Sequence, residues 1–241
     1  MIPLRDENPT RTTPVVVIVL IVLNVLVFLI DQLGATDRMG ALAGFAMIPK
    51  EILTGQDIRT PSPHPLWITI FTSMFMHGGL LHLGGNMLYL WIFGNNIEDV
   101  LGHFKFLLFY LAGGVAAAFA HIVTASVDPT AATIPTVGAS GAIAAVLGAY
   151  LVLYPTARII CLVFLGWFIT TAAIPALVVL ALWFLLQLLN VSIVGGAGGG
   201  VAYWAHIGGF VIGIILIYVL GGKNLSRRGR RPRDYYRRYG F

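Results

Sequence analysis

PTVGASGAIAAVLGAYLVLYP, residues 135–155, is almost entirely apolar, yet it carries a serine, Ser140, near its start. Its length and composition predict a membrane helix over residues 138–155, which Pro155 ends. A polar side chain inside a membrane is costly and usually faces a partner or a water-filled cavity. Ser140 is therefore expected to have a polar partner elsewhere in the chain.

The composition of the whole chain indicates that most of it lies in lipid. Of 241 residues, 58% are hydrophobic and only 10% are charged, whereas a soluble domain carries about 25% charged residues. The single cysteine, Cys161, excludes an intrachain disulfide and a multi-cysteine zinc site. We expect no cofactor and no bound metal.

Six apolar segments predict an all-α polytopic membrane protein with six transmembrane helices. The predicted spans are 14–33, 79–97, 104–125, 138–155, 172–190 and 201–221. The first could be a signal peptide, but the polar stretch 31–40 separates it from the nearest cleavage-like site, which favours a true span. Residues 159–169 are too short to span alone and are interpreted as an interfacial connection or an early start of the fifth helix.

An even number of spans puts both chain ends on one side of the membrane. Eight of the fifteen Lys and Arg lie in the last nineteen residues, 223–241. Such a tail could bind nucleic acid or acidic lipid, but next to a span it is more typical of a cytoplasmic anchor. We divide the chain into a cytoplasmic segment 1–13, a six-helix domain 14–221 and a basic cytoplasmic tail 222–241, and we expect no nucleic-acid partner.

This topology brings polar residues of three helices to one depth. His82 and Asn86 begin the second span, Ser140 the fourth, and His206 lies about six residues into the sixth. At 1.5 Å per residue, all four lie within roughly 10 Å of the outer surface. Ser140 therefore has candidate partners on two other helices.

Small residues indicate how the serine and the histidine meet. On the fourth span, small residues lie on the same helix face as Ser140. On the sixth span, Gly209 and Gly213 lie on the same face as His206. Small residues on facing surfaces let membrane helices approach closely. The small residues on the Ser140 face of the fourth span are Gly141, Ala144, Ala145 and Gly148. A neutral imidazole beside a serine hydroxyl is the minimum unit of nucleophilic catalysis. Apart from Asp31 at the end of the first span, no Asp or Glu lies in the outer half of a predicted span, so the unit is a Ser–His dyad.

Three segments together resemble the rhomboid intramembrane serine proteases. They are HGGLLHLGGN (77–86), GASG (138–141) and AHIGGFVIG (205–213), in this order and on three different helices. The resemblance covers the second to the sixth span. It implies a six-helix protease that cleaves single-pass membrane proteins near the outer end of their transmembrane helix, after a small residue, in a bacterial inner or plasma membrane.

The resemblance also implies a role for each motif residue. Ser140 is the nucleophile and His206 the general base and acid. His82, Asn86 and the backbone N–H of Ser140 form the oxyanion hole. The supporting residues are His77, Gly138, Gly141, Gly209 and Gly213.

Two positions depart from the family pattern. Many relatives have an aromatic residue four positions after the nucleophile, where this chain has Ala144. Another side chain must then orient His206, and Trp204 and Tyr203 are the candidates. A Trp-Arg pair found in the first loop of some relatives is also absent.

Other functions fit the sequence less well. A serine can bond its own helix backbone, a metalloprotease needs an H-E-x-x-H pattern, and a transporter needs charges near mid-membrane. A catalytically silent relative with a binding or quality-control role is the main alternative, but this chain has both Ser140 and His206. The glycine-rich stretch 194–200 is interpreted as a linker or as a mobile cap over the site.

Overall fold

Helix α7 (Ser140–Leu153) is the most enclosed element of the structure, with every residue from Gly141 to Tyr150 buried. The structure is a computed structural model that describes residues 1–33, 43–58, 61–194 and 202–222. The buried position of α7 follows from its composition, since ten consecutive small or apolar side chains leave no face suited to water.

The other helices surround α7. They are α1 (Val15–Leu33), α2 (Pro49–Thr54), α3 (Ile68–Thr72), α4 (Leu80–Tyr89), α5 (Asn95–Leu101), α6 (His103–Ala125), α8 (Ala176–Val194) and α9 (Tyr203–Val219). A π-helical turn, Leu90–Gly94, joins α4 to α5, and short 3-10 turns occupy Ala43–Phe45, Ser73–Phe75 and Ala131–Thr133. Each of the six predicted spans contains helix.

Among the described residues, three helices are long and apolar enough to cross a membrane. These are Val15–Leu33, His103–Ala125 and Ala176–Ile193, while α7 and α9 are apolar but shorter. The molecule is thus a mostly helical membrane bundle, and the number of six spans stays a prediction.

Helices α7 and α9 touch along their backbones. A Cβ atom at Gly209 would overlap the carbonyl oxygen of Gly141, and one at Gly213 would overlap that of Ala145. Such contact requires glycine, because any side chain would hold the two helices apart. The pairing Gly141 with Gly209 and Ala145 with Gly213 also shows that the two helices run in the same direction, so both begin at one end of the bundle.

The expectation of an all-α chain is wrong in one region. Residues 158–175 form two strands, β2 (Arg158–Leu165) and β3 (Phe168–Pro175), and the N-terminal residues form β1 (Ile2–Asp6). The three strands make an antiparallel sheet in the order β1-β2-β3. The interpretation of 159–169 as an interfacial connection or a helix start is therefore corrected, and α8 begins at Ala176 rather than at 172.

The physical reason for the hairpin is its turn and its residue types. Leu165 pairs with Phe168 across the two residues Gly166 and Trp167, and Gly166 has φ +61, a conformation that favours glycine. The strands are rich in β-branched and aromatic residues, which favour a pleated backbone. A short apolar run does not reveal by its periodicity whether it is helix or strand.

The segment before α1 is fastened to α5. The buried Glu98 accepts hydrogen bonds from the backbone N–H groups of Val16 (2.9 Å) and Val17 (2.8 Å) at the start of α1. Its neighbour Asp99 accepts from the N–H groups of Arg11 and Thr12. Glu98 thus satisfies two donors that a helix start leaves unpaired, and Asp99 holds the residues that precede the helix.

Candidate active site

A cavity of about 820 Å³ lies where the first turns of α4, α7 and α9 meet. Within the described chain, no Asp, Glu, Lys or Arg lines it. Its polar lining comes from neutral or titratable side chains: Ser73, His82, Asn86, Tyr89, His121, Thr136, Ser140, Trp183 and His206. The cavity is therefore suited to uncharged polar chemistry next to an apolar surrounding.

Ser140 and His206 are in direct contact in this cavity. The Oγ atom of Ser140 lies 2.7 Å from Nε2 of His206, within hydrogen-bonding distance. Ser140 is the first residue of α7, and His206 lies in the first turn of α9. The close packing of α7 against α9 brings these two helix starts together.

The loop before Ser140 depends on a glycine. Gly138 has φ +128, which side chains rarely tolerate, and a Cβ there would lie 2.9 Å from the ring of His82. Its N–H donates to the carbonyl of Ser73 at 2.9 Å. Gly138 therefore lets the chain pass close to His82 immediately before the serine.

His206 has a second hydrogen-bond partner that the sequence analysis missed. Its Nδ1 atom lies 2.9 Å from Oε1 of Gln187 on α8. The Trp183 ring, one turn earlier on α8, packs on His206 with ring centroids 5.8 Å apart. A signal was present in the sequence, since Gln187 is an isolated amide in the apolar run 176–189 and such residues usually have a partner.

Of the two aromatic residues predicted to orient His206, the structure places one, Tyr203, in ring contact with it. Tyr203 meets the histidine edge-on, with ring centroids 6.5 Å apart, whereas no ring contact between Trp204 and His206 occurs in the described structure. Ala144 is fully buried, and its Cβ would lie 3.2 Å from a Cβ at Gly209. A larger side chain at position 144 would therefore disturb the seam between α7 and α9.

Asn86 and His82 line the same cavity as Ser140. Asn86 is buried, and its Nδ2 donor has no hydrogen-bond partner among the described residues. His82 is exposed, with its ring next to Gly138. As the first residue of α7, Ser140 has a backbone N–H without an intrahelical acceptor. Ser140, His82 and Asn86 thus place groups able to donate hydrogen bonds on the wall of one cavity.

His77 lies behind this group. It is buried, and its ring packs against that of His82 with centroids 5.0 Å apart. Burial, with a smaller contribution from His82, lowers the pKa of His77 to about 4, so its ring is neutral at neutral pH. His77 does not line the cavity, which fits a supporting position.

His121 and Cys161 are the residues to consider for metal or cysteine chemistry. His121 lines the cavity, and its Nε2 atom lies 3.0 Å from Oγ1 of Thr136. Cys161 is buried in β2, which follows the far end of α7. Among residues that the structure describes, no three or more His, Cys, Asp or Glu side chains form a group that could hold a metal ion.

Two predicted features lie outside the described residues. The glycine-rich stretch 194–200, interpreted as a linker or a cap, lies outside apart from its first residue, and so does the basic tail 222–241 apart from Gly222. Both interpretations stay predictions.

Comparison with known proteins gives consistent matches. The rhomboid domain matches residues 64–223. Rhomboid protein 1, mitochondrial, of Saccharomyces cerevisiae is 29% identical over 209 residues, which cover 87% of this chain and 54% of the yeast protein. The human presenilin-associated rhomboid-like protein, mitochondrial, is 32% identical over 178 residues, which cover 71% of this chain and 42% of the human protein. Rhomboid protease GluP of Bacillus subtilis is 30% identical over 165 residues, which cover 68% of this chain and 28% of GluP.

The chain spans about half of these relatives or less. Two of the three are named as mitochondrial and one comes from a bacterium, so the comparisons do not support a bacterial plasma membrane in particular. They and the apolar helices agree on a membrane protein.

Proposed function

Because the chain belongs to the rhomboid family, we propose that it is an intramembrane serine endopeptidase that uses Ser140 as nucleophile and His206 as general base and acid. The observation that carries the proposal is the 2.7 Å contact between Ser140 Oγ and His206 Nε2. A serine hydroxyl is a weak nucleophile until an adjacent base accepts its proton, and this contact supplies the base.

The reaction follows from that geometry. Ser140 Oγ attacks the carbonyl carbon of the scissile peptide bond while its proton passes to His206 Nε2. The tetrahedral intermediate collapses as the C–N bond breaks, and His206 gives the proton to the leaving amine. A water molecule then attacks the acyl-enzyme ester, His206 accepts its proton, and the released Ser140 oxygen recovers a proton from the imidazolium.

The oxyanion of each tetrahedral intermediate needs donors that are already in position. We assign this role to the backbone N–H of Ser140 and to the side chains of Asn86 and His82. The unpartnered Nδ2 of Asn86 supports the assignment, because a buried donor without an acceptor costs free energy unless a ligand satisfies it.

The proposed substrates are transmembrane segments of single-pass membrane proteins, cut after a small residue. The uncharged cavity supports an apolar substrate, and its wall includes the small residues Gly114, Ala117 and Ala118. Membrane lipid is the expected surrounding of the outward-facing apolar side chains of α1 and α8.

We further propose that the chain is a multi-pass protein with both termini on the side opposite Ser140. Strand β1 pairs with β2, which follows the far end of α7, and α9 runs in the same direction as α7. These contacts support one common side for the chain ends. The basic residues of 223–241 favour the cytoplasmic side of a cell membrane.

The test is cleavage of a single-pass test substrate by purified protein in detergent and in liposomes, with product masses giving the cut site. We expect cleavage near one end of the transmembrane helix and covalent labelling of Ser140 by a fluorophosphonate. Ser140→Ala should lose both by several orders of magnitude in rate while its thermal unfolding stays unchanged. Undiminished cleavage by the alanine variant would refute the serine-protease assignment.

A further inference from the structure

Gln187 is a buried amide whose position is not explained by packing alone. Its side chain is 9% exposed and lies on α8, in a region where residues 159–222 contain no Asp, Glu, Lys or Arg. An amide in such surroundings costs free energy unless its donor and acceptor groups are satisfied. Both groups do have partners, on two sides of the amide.

The orientation of the amide follows from one of these partners. The Nε2 atom of Gln187 donates to the backbone carbonyl of Trp183 at 3.2 Å. A carbonyl oxygen only accepts hydrogen bonds, so the amide nitrogen must face it and the amide oxygen must face the other way. That oxygen lies 2.9 Å from His206 Nδ1.

This orientation decides the tautomer of the histidine. An amide oxygen also only accepts, so His206 Nδ1 must carry the hydrogen and donate it to Gln187. The neutral ring then has its lone pair on Nε2, the atom 2.7 Å from Ser140 Oγ. The chain of contacts from the Trp183 carbonyl to the serine therefore has one consistent direction of donation.

We propose that Gln187 is a positioning residue that holds His206 as the Nδ1–H tautomer, with Nε2 free to accept the proton of Ser140. The inference rests on the proposed function, because it assigns Gln187 to the same catalytic site. Trp183 contributes twice, through its carbonyl at the amide nitrogen and through its ring on the face of the imidazole.

A neutral acceptor suits this location. In soluble serine proteases a carboxylate orients the histidine, but an ionised carboxylate buried without a positive partner is strongly unfavourable. Gln187 accepts the same hydrogen bond without a charge. When His206 takes the proton, its Nδ1–H remains bonded to the amide oxygen, so the ring keeps its orientation throughout the cycle.

The test compares three variants of the 241-residue chain. Gln187→Leu removes the acceptor at similar size, and Gln187→Glu replaces it with a stronger one. Asn190→Leu is the matched control, since Asn190 lies on the same helix and, among the described residues, donates to the Leu186 carbonyl of its own helix. The readouts are the rate of fluorophosphonate labelling of Ser140, kcat as a function of pH, and thermal unfolding.

We expect Gln187→Leu to label Ser140 more slowly by about tenfold or more, because a misoriented base loses catalytic geometry. The control should label at the wild-type rate. Gln187→Glu should stay active at high pH, with the acid limb of its pH–rate profile moved to higher pH, because a carboxylate favours the protonated imidazole. The other titratable side chains on the cavity wall, Tyr89, His82 and His121, are the same in all variants.

A nitrogen NMR spectrum of histidine-labelled protein separates this inference from the proposed function. His206 should show a protonated Nδ1 in the wild type and a mixture of tautomers in Gln187→Leu. Wild-type tautomer and labelling rate in the folded leucine variant would overturn the role of Gln187. If the wild type neither cleaves nor labels, the protease assignment fails, while the tautomer measurement still decides the role of Gln187.

Discussion

Asn86 presents a buried amide nitrogen to the cavity that also contains Ser140 and His206. Its Nδ2 has no partner in the described structure, although buried donors are nearly always satisfied. At the scale of single residues, the site therefore combines the hydrogen bonds that join Ser140, His206 and Gln187 with an amide donor, Asn86 Nδ2, that has no acceptor among the described residues. The satisfied contacts orient the reacting groups, and the open donor is available to a developing negative charge.

Asn86→Ala should lower kcat by roughly 10²–10³-fold, the usual cost of removing one oxyanion donor, with little change in KM. The expected loss is in kcat because the donor acts on charge that exists only in the transition state. Steady-state cleavage of a single-pass substrate measures both constants. Asn190→Ala is the control, since within the described part of the chain this asparagine donates to a carbonyl of its own helix. Wild-type kcat in Asn86→Ala would remove Asn86 from the proposed oxyanion hole.

At the scale of elements, the contact between α7 and α9 decides whether the two catalytic candidates can meet. A side chain at Gly209 would overlap the carbonyl oxygen of Gly141, and one at Gly213 would overlap the backbone of Ala145, so α9 has no space for a side chain at either glycine. Membrane helices gain no hydrophobic free energy from leaving water for each other, so close van der Waals packing must hold them. The same close packing sets the distance between Ser140 and His206.

Gly209→Val should lower both stability and activity. The valine would collide with the carbonyl of Gly141 and push α9 away from α7. A displacement of about 1 Å at the Ser140–His206 contact could cost on the order of 10²-fold in rate. Thermal unfolding in detergent and cleavage rate should both fall in this variant.

Val211→Leu is the matched control for this substitution, because Val211 lies on α9 with 45% of its surface exposed. It should melt and cleave as the wild type does. A Gly209→Val protein with wild-type melting and cleavage would show that the close seam is not required.

At the scale of the whole molecule, the N-terminal segment is tied to the end of the bundle opposite the site. Strand β1 completes a sheet with β2 and β3, and Asp6 accepts hydrogen bonds from Asn96 and from the Tyr150 hydroxyl, each at 2.7 Å. Glu98 holds the start of α1. These contacts join the segment before α1 to α5, to α7 and to the β2–β3 hairpin.

Glu98→Gln should destabilise the fold by about 1–3 kcal/mol, the cost of leaving a buried donor unsatisfied. The amide offers one acceptor oxygen where the carboxylate serves both Val16 N–H and Val17 N–H. Asp99→Asn is the milder control, because a single oxygen of the half-buried Asp99 makes its contacts. Denaturant or thermal unfolding in detergent compares the two, and equal stability of both variants would contradict the capping role of Glu98.

The sequence by itself determined which segments are helical and apolar, since a run of about 20 apolar side chains has few other stable forms in lipid. It also singled out Ser140, His206, His82 and Asn86, because polar groups in such segments are costly and rare. The glycines at 209 and 213 indicated a close helix contact for a similar local reason. Each of these conclusions depends on residues near each other along the chain.

Only the tertiary structure decided the features that join distant residues. Gln187 meets His206 because α8 packs beside α9, and no local pattern specifies that pairing. The β2–β3 hairpin forms because residues 158–165 find partners on two sides, β1 from the other end of the domain and β3 next to it. An apolar run of this length is compatible with helix or strand, and backbone hydrogen bonds to distant residues make the choice.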